Sequence, residues 1–485
     1  MKVAVLHYHL RPGGVTTVIR QQIEATRNDN DFLVLTGENP VDDFPADVQI
    51  IPSLGYDRED TTACTSPEDT AGEIINRINR KWQHGCDLVH IHNPFLKKNR
   101  QFLKILNALG SRGMVLFLQA HDFAEDGRPN SYFAHDPYPE NCHIGVINSR
   151  DHSILLDAGG KDAGVHKIAN AVTPFPSTPT ETEGDSAERI ILYPVRAIRR
   201  KNIGEAILLS LFFGNNEKLA ITLPPNSPGD LPAYEGWKSF VKNNRLNVEF
   251  EASSTRDFLN LVANAEAMIT TSITEGFGFS FLEPWTAGKP LCGRRIPEIC
   301  ADFENAGIDL SHLYDTIDVP IAWFDKRDLR HKLRQAAMRS RSAFGISPAH
   351  SAESSSGRKF IAPFEAMAEA DTIDFGFLDE SLQKRVMQRL LNSPEDKSAL
   401  VAQNPFLVHR NQRDAQRVID QNNQAVLVRF NQSALANRLT KTYQTVTQTP
   451  VHQHIDKTRL FERFLTPSNF SLLKWGQYTE EAVDD

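Results

Sequence analysis

The strongest chemical pattern in this sequence is the nine-residue stretch Glu275-Gly276-Phe277-Gly278-Phe279-Ser280-Phe281-Leu282-Glu283. Gly276 and Gly278 lack Cβ, so a ligand can come close to the backbone there. A helix beginning near Phe279 would direct its free N–H groups and positive dipole end at that ligand, which suits phosphate. Glu275 and Glu283 flank this cradle. A carboxylate repels phosphate but accepts hydrogen bonds from hydroxyls, so a ligand with hydroxyl-rich groups on either side of a phosphate fits the pattern. The same residues also describe a glycine turn before an amphipathic helix, with Glu283 a surface acid offsetting the dipole.

Three further groups share this placement after a strand. In Tyr193-Pro-Val-Arg196-Ala-Ile-Arg199-Arg200-Lys201-Asn202, four cations fall within six residues and can meet a diphosphate, or form a solvated helix start. His9-Leu-Arg11-Pro-Gly13-Gly14 places two glycines and an arginine between a strand and a helix, as a phosphate loop or as a tight turn. His121-Asp122 follows a strand, where a histidine lies at the ligand crevice or bonds to its own loop. The pairs His7/His9 and His90/His92 each share a strand face, which permits metal ligation, but no acid cluster accompanies them. Asp29-Asn-Asp31 has the Asp-x-Asp spacing used for metal diphosphates, yet precedes a strand, on the end away from the crevice. No metal site is expected.

These residues need a scaffold of strands ending at one edge. Short apolar runs predict strands at Val3–His7, Phe32–Leu35, Val48–Ile51, Asp87–His92, Met114–Leu118 and Ile144–Asn148, with helical stretches between. The alternation restarts at Ile190–Pro194, Leu219–Leu223, Asn247–Phe250, Ala267–Thr270 and Pro290–Cys292. Continuous apolar strands alternating with helices indicate parallel sheets covered on both faces, the doubly wound α/β class. The proline-, threonine- and acid-rich stretch 173–188 reads as a linker, and 347–357 as a serine-rich loop. Beyond them, Asp379–Leu391, Glu395–Val401, Asp414–Val426 and Thr458–Phe464 read as helices. The expected divisions are residues 1–180, residues 189–345 and a mainly helical region, residues 358–485.

The 485-residue chain carries 53 basic and 61 acidic side chains, a net charge of −8, which argues against a nucleic-acid partner. Its five cysteines are scattered, with no CxxC, so neither a disulfide framework nor a thiolate zinc site is expected. The first apolar run stops at His7, too short for a signal peptide, and the longest, Ala206–Phe213, falls well short of the ~18 residues of a membrane helix. A cytoplasmic protein without a membrane span is the expectation.

Together these motifs resemble a retaining glycosyltransferase of the GT-B fold, close to family 4 of the sequence-based classification. Arg196 and Lys201 match that family's diphosphate cations, and Glu275 and Glu283 its Glu-x7-Glu motif. Asp87–His92, His121, Val146-Ile-Asn-Ser149 and Ile168-Ala-Asn170-Ala171-Val172 resemble its first-domain signposts. The resemblance covers about residues 1–335. It departs at Val195, Asn202 and Ala171, where glycines are usual, and at Pro284 after the second glutamate.

The resemblance implies two Rossmann-like domains facing across a cleft, with a nucleotide-diphosphate sugar as donor, a hydroxyl acceptor and no cofactor or metal. It implies that Arg196 and Lys201 neutralise the leaving diphosphate. Glu275, with the backbone of Gly276, Phe277, Gly278 and Phe279, would contact the donor sugar and phosphates, and Glu283 the ribose. His121 would lie near sugar and acceptor, and the Gly13-Gly14 loop would close from the first domain. Arg11, Lys97, Lys98, Arg100 and Arg128 are candidates to recognise a phosphate or carboxylate on a small anionic acceptor, or are solvated loop charges. A retaining phosphorylase on the same fold, and a catalytically silent nucleotide-sugar-binding subunit, are the alternative readings.

Overall fold

Strands buried on both faces of a sheet need unbroken apolar runs. In Val3–Leu6 every side chain is at most 1% exposed. The computed structural model describes residues 1–57, 65–176, 188–346, 355–408 and 415–476. It divides into two compact units, Met1–Val172 with Val428–Leu465, and Thr173–Leu427 with the described part of Thr466–Asp485.

The first unit contains seven parallel strands: β1 (Lys2–His7), β2 (Asp31–Thr36), β3 (Asp47–Ile50), β4 (Leu88–His92), β5 (Leu116–Gln119), β6 (His143–Val146) and β7 (Val165–Lys167). Their order in the sheet is β3-β2-β1-β4-β5-β6-β7. All six predicted strands are present, and β7 is an unpredicted edge strand. The second unit has a five-stranded parallel sheet, from β8 (Arg189–Arg196), β9 (Glu217–Leu223), β10 (Val248–Glu249), β11 (Ala265–Thr270) and β12 (Leu291–Gly293), in the order β10-β9-β8-β11-β12. A small antiparallel pair, β13 (Asp318–Pro320) and β14 (Thr372–Asp374), completes it.

Both sheets reverse direction of growth once, between β1 and β4 and between β8 and β11. In doubly wound sheets, ligands bind outside the strand carboxyl ends at this switch point. The loops after β8 and β11 carry Lys201 and Glu275. The loop after β1 carries Gly13 and Gly14, and His121 follows β5.

The C-terminal residues expected to form one helical region, 358–485, are shared between the two units. The reason is apolar burial. The helix Gln432–Gln448, not expected from the sequence, places Leu435, Leu439, Tyr443 and Val446 in one core cluster with Val3, Val5, Val34, Leu88 and Phe117 of the first sheet. Leu460 and Phe464 of the helix Lys457–Phe464 enter the cluster on that unit's other strand-facing residues, with Ala4, Leu6, Val89 and Ile91. The helices Glu380–Asn392 and Pro394–Gln403 belong to the second unit. The predicted linker lies outside the described residues at 177–187, the serine-rich loop at 347–354, and the expected helix start at Asp414 likewise. Cys64 is also outside them, and Cys86, Cys142, Cys292 and Cys300 are not joined in disulfides. Among the described residues no helix is long and apolar enough to cross a membrane.

Candidate functional site

In the second unit, hydrogen bonds tie together the two loops at the switch point. β8 ends in a single helical turn, Arg199–Lys201, and Asn202 follows at φ 50°, ψ 51°. From inside β8 the Tyr193 hydroxyl donates to the Lys201 carbonyl at 2.6 Å. After β11, Thr271 Oγ1 lies 3.2 Å from the same carbonyl and 3.0 Å from that of Asn202. The Ile273 N–H donates to the Arg200 carbonyl at 3.0 Å. These bonds bring Lys201 Nζ to 2.5 Å from Glu275 Oε1, with Arg200 3.6 Å from the other carboxylate oxygen.

Burial is the largest influence on all three groups, and pairing reverses its direction only at Glu275. Burial pushes the Glu275 carboxyl up, but Lys201 and then Arg200 override it and hold it below the ordinary carboxylate value. Burial pulls Lys201 down against the opposing pull of Glu275. Glu283 is raised, first by burial, with Lys201 opposing and Glu275 reinforcing. Its carboxylate has no hydrogen-bond partner among the described residues. Lys201, Glu275 and Glu283 thus form one interacting group in which the half-buried Glu283 carboxylate is left open to a ligand.

The remaining donor-side residues fall differently from expectation. Arg196 stands apart from the Lys201–Glu275 pair: exposed at the end of β8, it donates to the Pro224 carbonyl at 3.2 Å. Arg199 is held by Glu380 through two bonds of 2.7 and 2.8 Å. The helix expected to begin near Phe279 is one 3₁₀ turn, Phe279–Phe281, followed by a four-residue helix, Glu283–Thr286. Pro284 explains the break. A helix running through from Phe279 would set its ring against a carbonyl one turn back, whereas a helix restarting at Glu283 places it in the first turn. Gly278 is left-handed at φ 91°, and a Cβ there would sit 3.0 Å from Phe281 and 3.1 Å from Ile299. The Phe277 ring is buried against Phe303 and Phe279.

In the first unit, Gly13 caps the helix Gly14–Thr26 in an extended conformation. A Cβ on Gly14 would meet nothing within 4 Å, so the space beside this helix start is open. Arg11 is not a free cation: Glu38 binds it through bonds of 2.9 and 2.8 Å. Of the other candidate cations, Arg100 pairs with Asp57 and Arg128 with Asp122, while Lys98 lies over the Tyr56 ring. His121 is buried, with Nε2 3.0 Å from His92 Nδ1 and the rings stacked at 13°. Asn93 Oδ1 accepts from the His121 and Asp122 N–H groups. Burial, only partly offset by Asp122, lowers His121 to about 4, so the ring is neutral near pH 7.

His90 and His92 share a buried face, with ring centroids 4.2 Å apart, whereas His9 lies beyond β1 against Tyr56. Among the described residues no group of three or more His, Cys, Asp or Glu could hold a metal. Asp31 opens β2 and accepts from the Trp82 indole, at the end of the sheet opposite the switch point. Sequence reasoning missed Tyr193, Thr271, Asn202 and Asn93 as residues that shape the loops. Only the left-handed tolerance of asparagine pointed to the last two.

No protein-family model matches the chain. It is 25% identical over 424 residues to mannosylglucosyl-3-phosphoglycerate synthase of Petrotoga mobilis, spanning 79% of each chain. The HepE protein of Anabaena, solved with UDP and glucose, aligns with a TM-score of 0.53 at 12% identity, over 92% of this chain and 99% of that one. A glycosyltransferase of Rickettsia africae aligns with a TM-score of 0.53 at 11% identity, over 92% and 99%. The two parallel sheets, these structural neighbours and the homology to a synthase together support a glycosyltransferase of the GT-B fold.

Proposed function

We propose that the chain is a retaining, metal-independent hexosyltransferase that moves a hexose from a nucleotide-diphosphate sugar to a hydroxyl on a small anionic acceptor. The observation that carries this reading is the Lys201–Glu275 pair beside the unpartnered Glu283, at the switch point of the second sheet. Glu275 accepts from donor-sugar hydroxyls and Glu283 from the ribose. An ammonium has three N–H donors, so Lys201 can keep Glu275 and still donate to a phosphate oxygen. As the glycosidic bond breaks, charge grows on that oxygen and the sugar becomes oxocarbenium-like. Preorganised cations in a water-poor site then stabilise the transition state more than the ground state. The acceptor attacks from the face the diphosphate leaves, and a departing phosphate oxygen takes its proton, so no side-chain base is assigned.

Held neutral, His121 serves as a hydrogen-bond partner for a sugar or acceptor hydroxyl. The open space beside Gly14 gives room for an acceptor group at a helix start that favours anions. The Petrotoga relative, whose name gives a phosphoglycerate glycoside as product, supports an anionic acceptor. The HepE complex with UDP and glucose supports a nucleotide-sugar donor. A cytoplasmic site of action belongs to the same proposal, supported by five scattered cysteines with no CxxC, a pattern that fits a reducing compartment.

The test is a panel of nucleotide sugars against phosphorylated and carboxylated hydroxyl acceptors. Product mass and nucleotide release are followed with and without EDTA, and the new anomeric centre is read by proton couplings. Expected are chelator-insensitive turnover and a retained configuration. An inverted linkage would remove the retaining mechanism, loss of activity restored by magnesium would remove metal independence, and turnover that needs inorganic phosphate would make the enzyme a phosphorylase.

A further inference from the structure

Lys201 is followed by a residue in a conformation that few side chains accept, and a helix almost two hundred positions away holds it there. Asn202 is left-handed at φ 50°, ψ 51° and only 2% exposed. Glycine takes this conformation without strain, and any other residue needs its surroundings to enforce it. Here the surroundings grip both ends of the side-chain amide. Asn202 Nδ2 donates to Glu205 Oε2 at 2.7 Å, and Oδ1 accepts from Gln383 Nε2 at 2.9 Å. Glu205 is itself fixed by two bonds from Arg294, at 2.8 and 2.7 Å, and by the Tyr314 hydroxyl at 2.8 Å.

Gln383 comes from the helix Glu380–Asn392 and is fully buried. Its Oε1 has no partner and lies where a Cβ on Gly204 would be 2.3 Å away, so the helix reaches Asn202 only because residue 204 is glycine. One turn earlier on that helix, Glu380 binds Arg199. The turn Arg199–Lys201 is therefore gripped at its start and just past its end by a single helix.

We infer that Gln383 is a positioning residue for the donor site. Through the Asn202 amide it keeps the backbone left-handed after Lys201, and so fixes where the ammonium meets Glu275 and the donor diphosphate. This rests on the role given to Lys201 under the proposed function. It also gives the helix Glu380–Asn392 a part in catalysis without contact to substrate.

The experiment is a double-mutant cycle in the full chain, measured with the nucleotide sugar that turns over in the panel above. Displacing a catalytic group from a distance typically costs between about 10- and 100-fold. Gln383→Ala should lower kcat by about tenfold and leave the donor KM within about twofold, with the protein still folded by circular dichroism at the assay temperature. Glycine needs no tether, so in an Asn202→Gly background the same Gln383→Ala change should leave kcat as that background has it. An equal loss in both backgrounds would overturn the inference, since Gln383 would then act through its packing on Gly204. So would Gln383→Ala with wild-type kcat while Lys201→Ala is severely impaired. A Lys201→Ala protein with wild-type kcat would instead overturn the reading of the site on which the inference stands.

Discussion

At the switch point of the second sheet, burial encloses charges that hold one another ionised; at that of the first, it encloses imidazoles that stay neutral. Lys201 pairs with Glu275, and Glu275 is held ionised by that pairing against a burial penalty that opposes both signs. His7, His90 and His121 have no acid in hydrogen-bonding contact, and burial lowers them to about 3, 3 and 4. The topology is the same and the electrostatics are opposite. A charged cradle suits a diphosphate whose charge changes during reaction, and a neutral polar surface suits hydroxyls that must be oriented. Parallel-sheet geometry supplies the place, and only the side chains in the loops decide which chemistry it holds.

The comparison breaks most visibly at Lys201. Lys201→Ala should lower kcat by about 100- to 1,000-fold, the usual cost of removing one preorganised donor from a developing anion. Arg196→Ala should lose less, because that side chain lies outside the paired group. Steady-state kinetics of the two folded variants checks the order, and equal losses would restore Arg196 to the centre of the site.

Acid should separate the two units. A histidine lowered by the fold from an ordinary 6.5 takes up protons first in the unfolded chain. Its contribution is therefore complete above pH 6.5 and is lost as pH falls toward 3 to 4, at up to about 1.4 kcal/mol per pH unit for each ring. Glu125, raised by burial to about 7, works in the opposite sense and offsets about one ring. Glu275, held low, keeps its pairing until pH falls below the ordinary carboxylate range. Hydrogen exchange at pH 5 should thus show β1, β4 and β5 losing protection before β8 and β11. The reverse order would mean that the buried imidazoles do not govern the first unit.

Smaller effects sharpen the contrast. Glu283→Gln should weaken donor binding by about tenfold, as expected for charge-assisted bonds lost from a ribose, and leave saturated turnover near wild type. Calorimetric titration with nucleotide diphosphate alongside kcat separates the two. A variant that binds normally but turns over slowly would make Glu283 a participant in bond breaking. Arg11→Ala should change stability by less than about 1 kcal/mol, since its pair with Glu38 is half exposed. Thermal unfolding checks this, and a large rise in acceptor KM would show that Arg11 leaves Glu38 to bind substrate.

What could be read from the sequence follows the range of the interactions. The strands were legible because a residue such as Ile91 or Ile269 announces two-sided burial by its apolar neighbours. Glu275 and Glu283 were legible because their relation is local, eight positions apart across one loop and the short turn that follows it. The helix Gln432–Gln448 escaped because Leu435, Leu439, Tyr443 and Val446 keep helical spacing within a run dominated by threonine, glutamine and asparagine. Nothing near Arg199 indicates Glu380, 181 positions on, and nothing near Arg11 indicates Glu38. In the sequence both cations therefore read as ligand contacts or solvated charges, whereas the fold engages each with a carboxylate. The same distance hid the division of the C-terminal helices, since which sheet a helix covers is a property of folded surfaces.

The return of the chain to its first unit at Val428 has a consequence for synthesis. On a ribosome, Met1–Val172 emerges long before the segment that contains Tyr443, whose hydroxyl meets His90 at 2.9 Å and whose helix covers Val3, Val5 and Phe117. At about 5–20 residues per second, the roughly 250 intervening residues take about 13–50 s to make. Through that interval one face of the nascent first sheet is only partly covered, by Ile19 and Ile23 of the helix Gly14–Thr26. The second unit is assembled meanwhile, tethered to an unfinished neighbour. Chaperone demand during translation should therefore peak over the middle of the message, and cutting the gene after residue 427 should yield an aggregating fragment rather than a shorter enzyme.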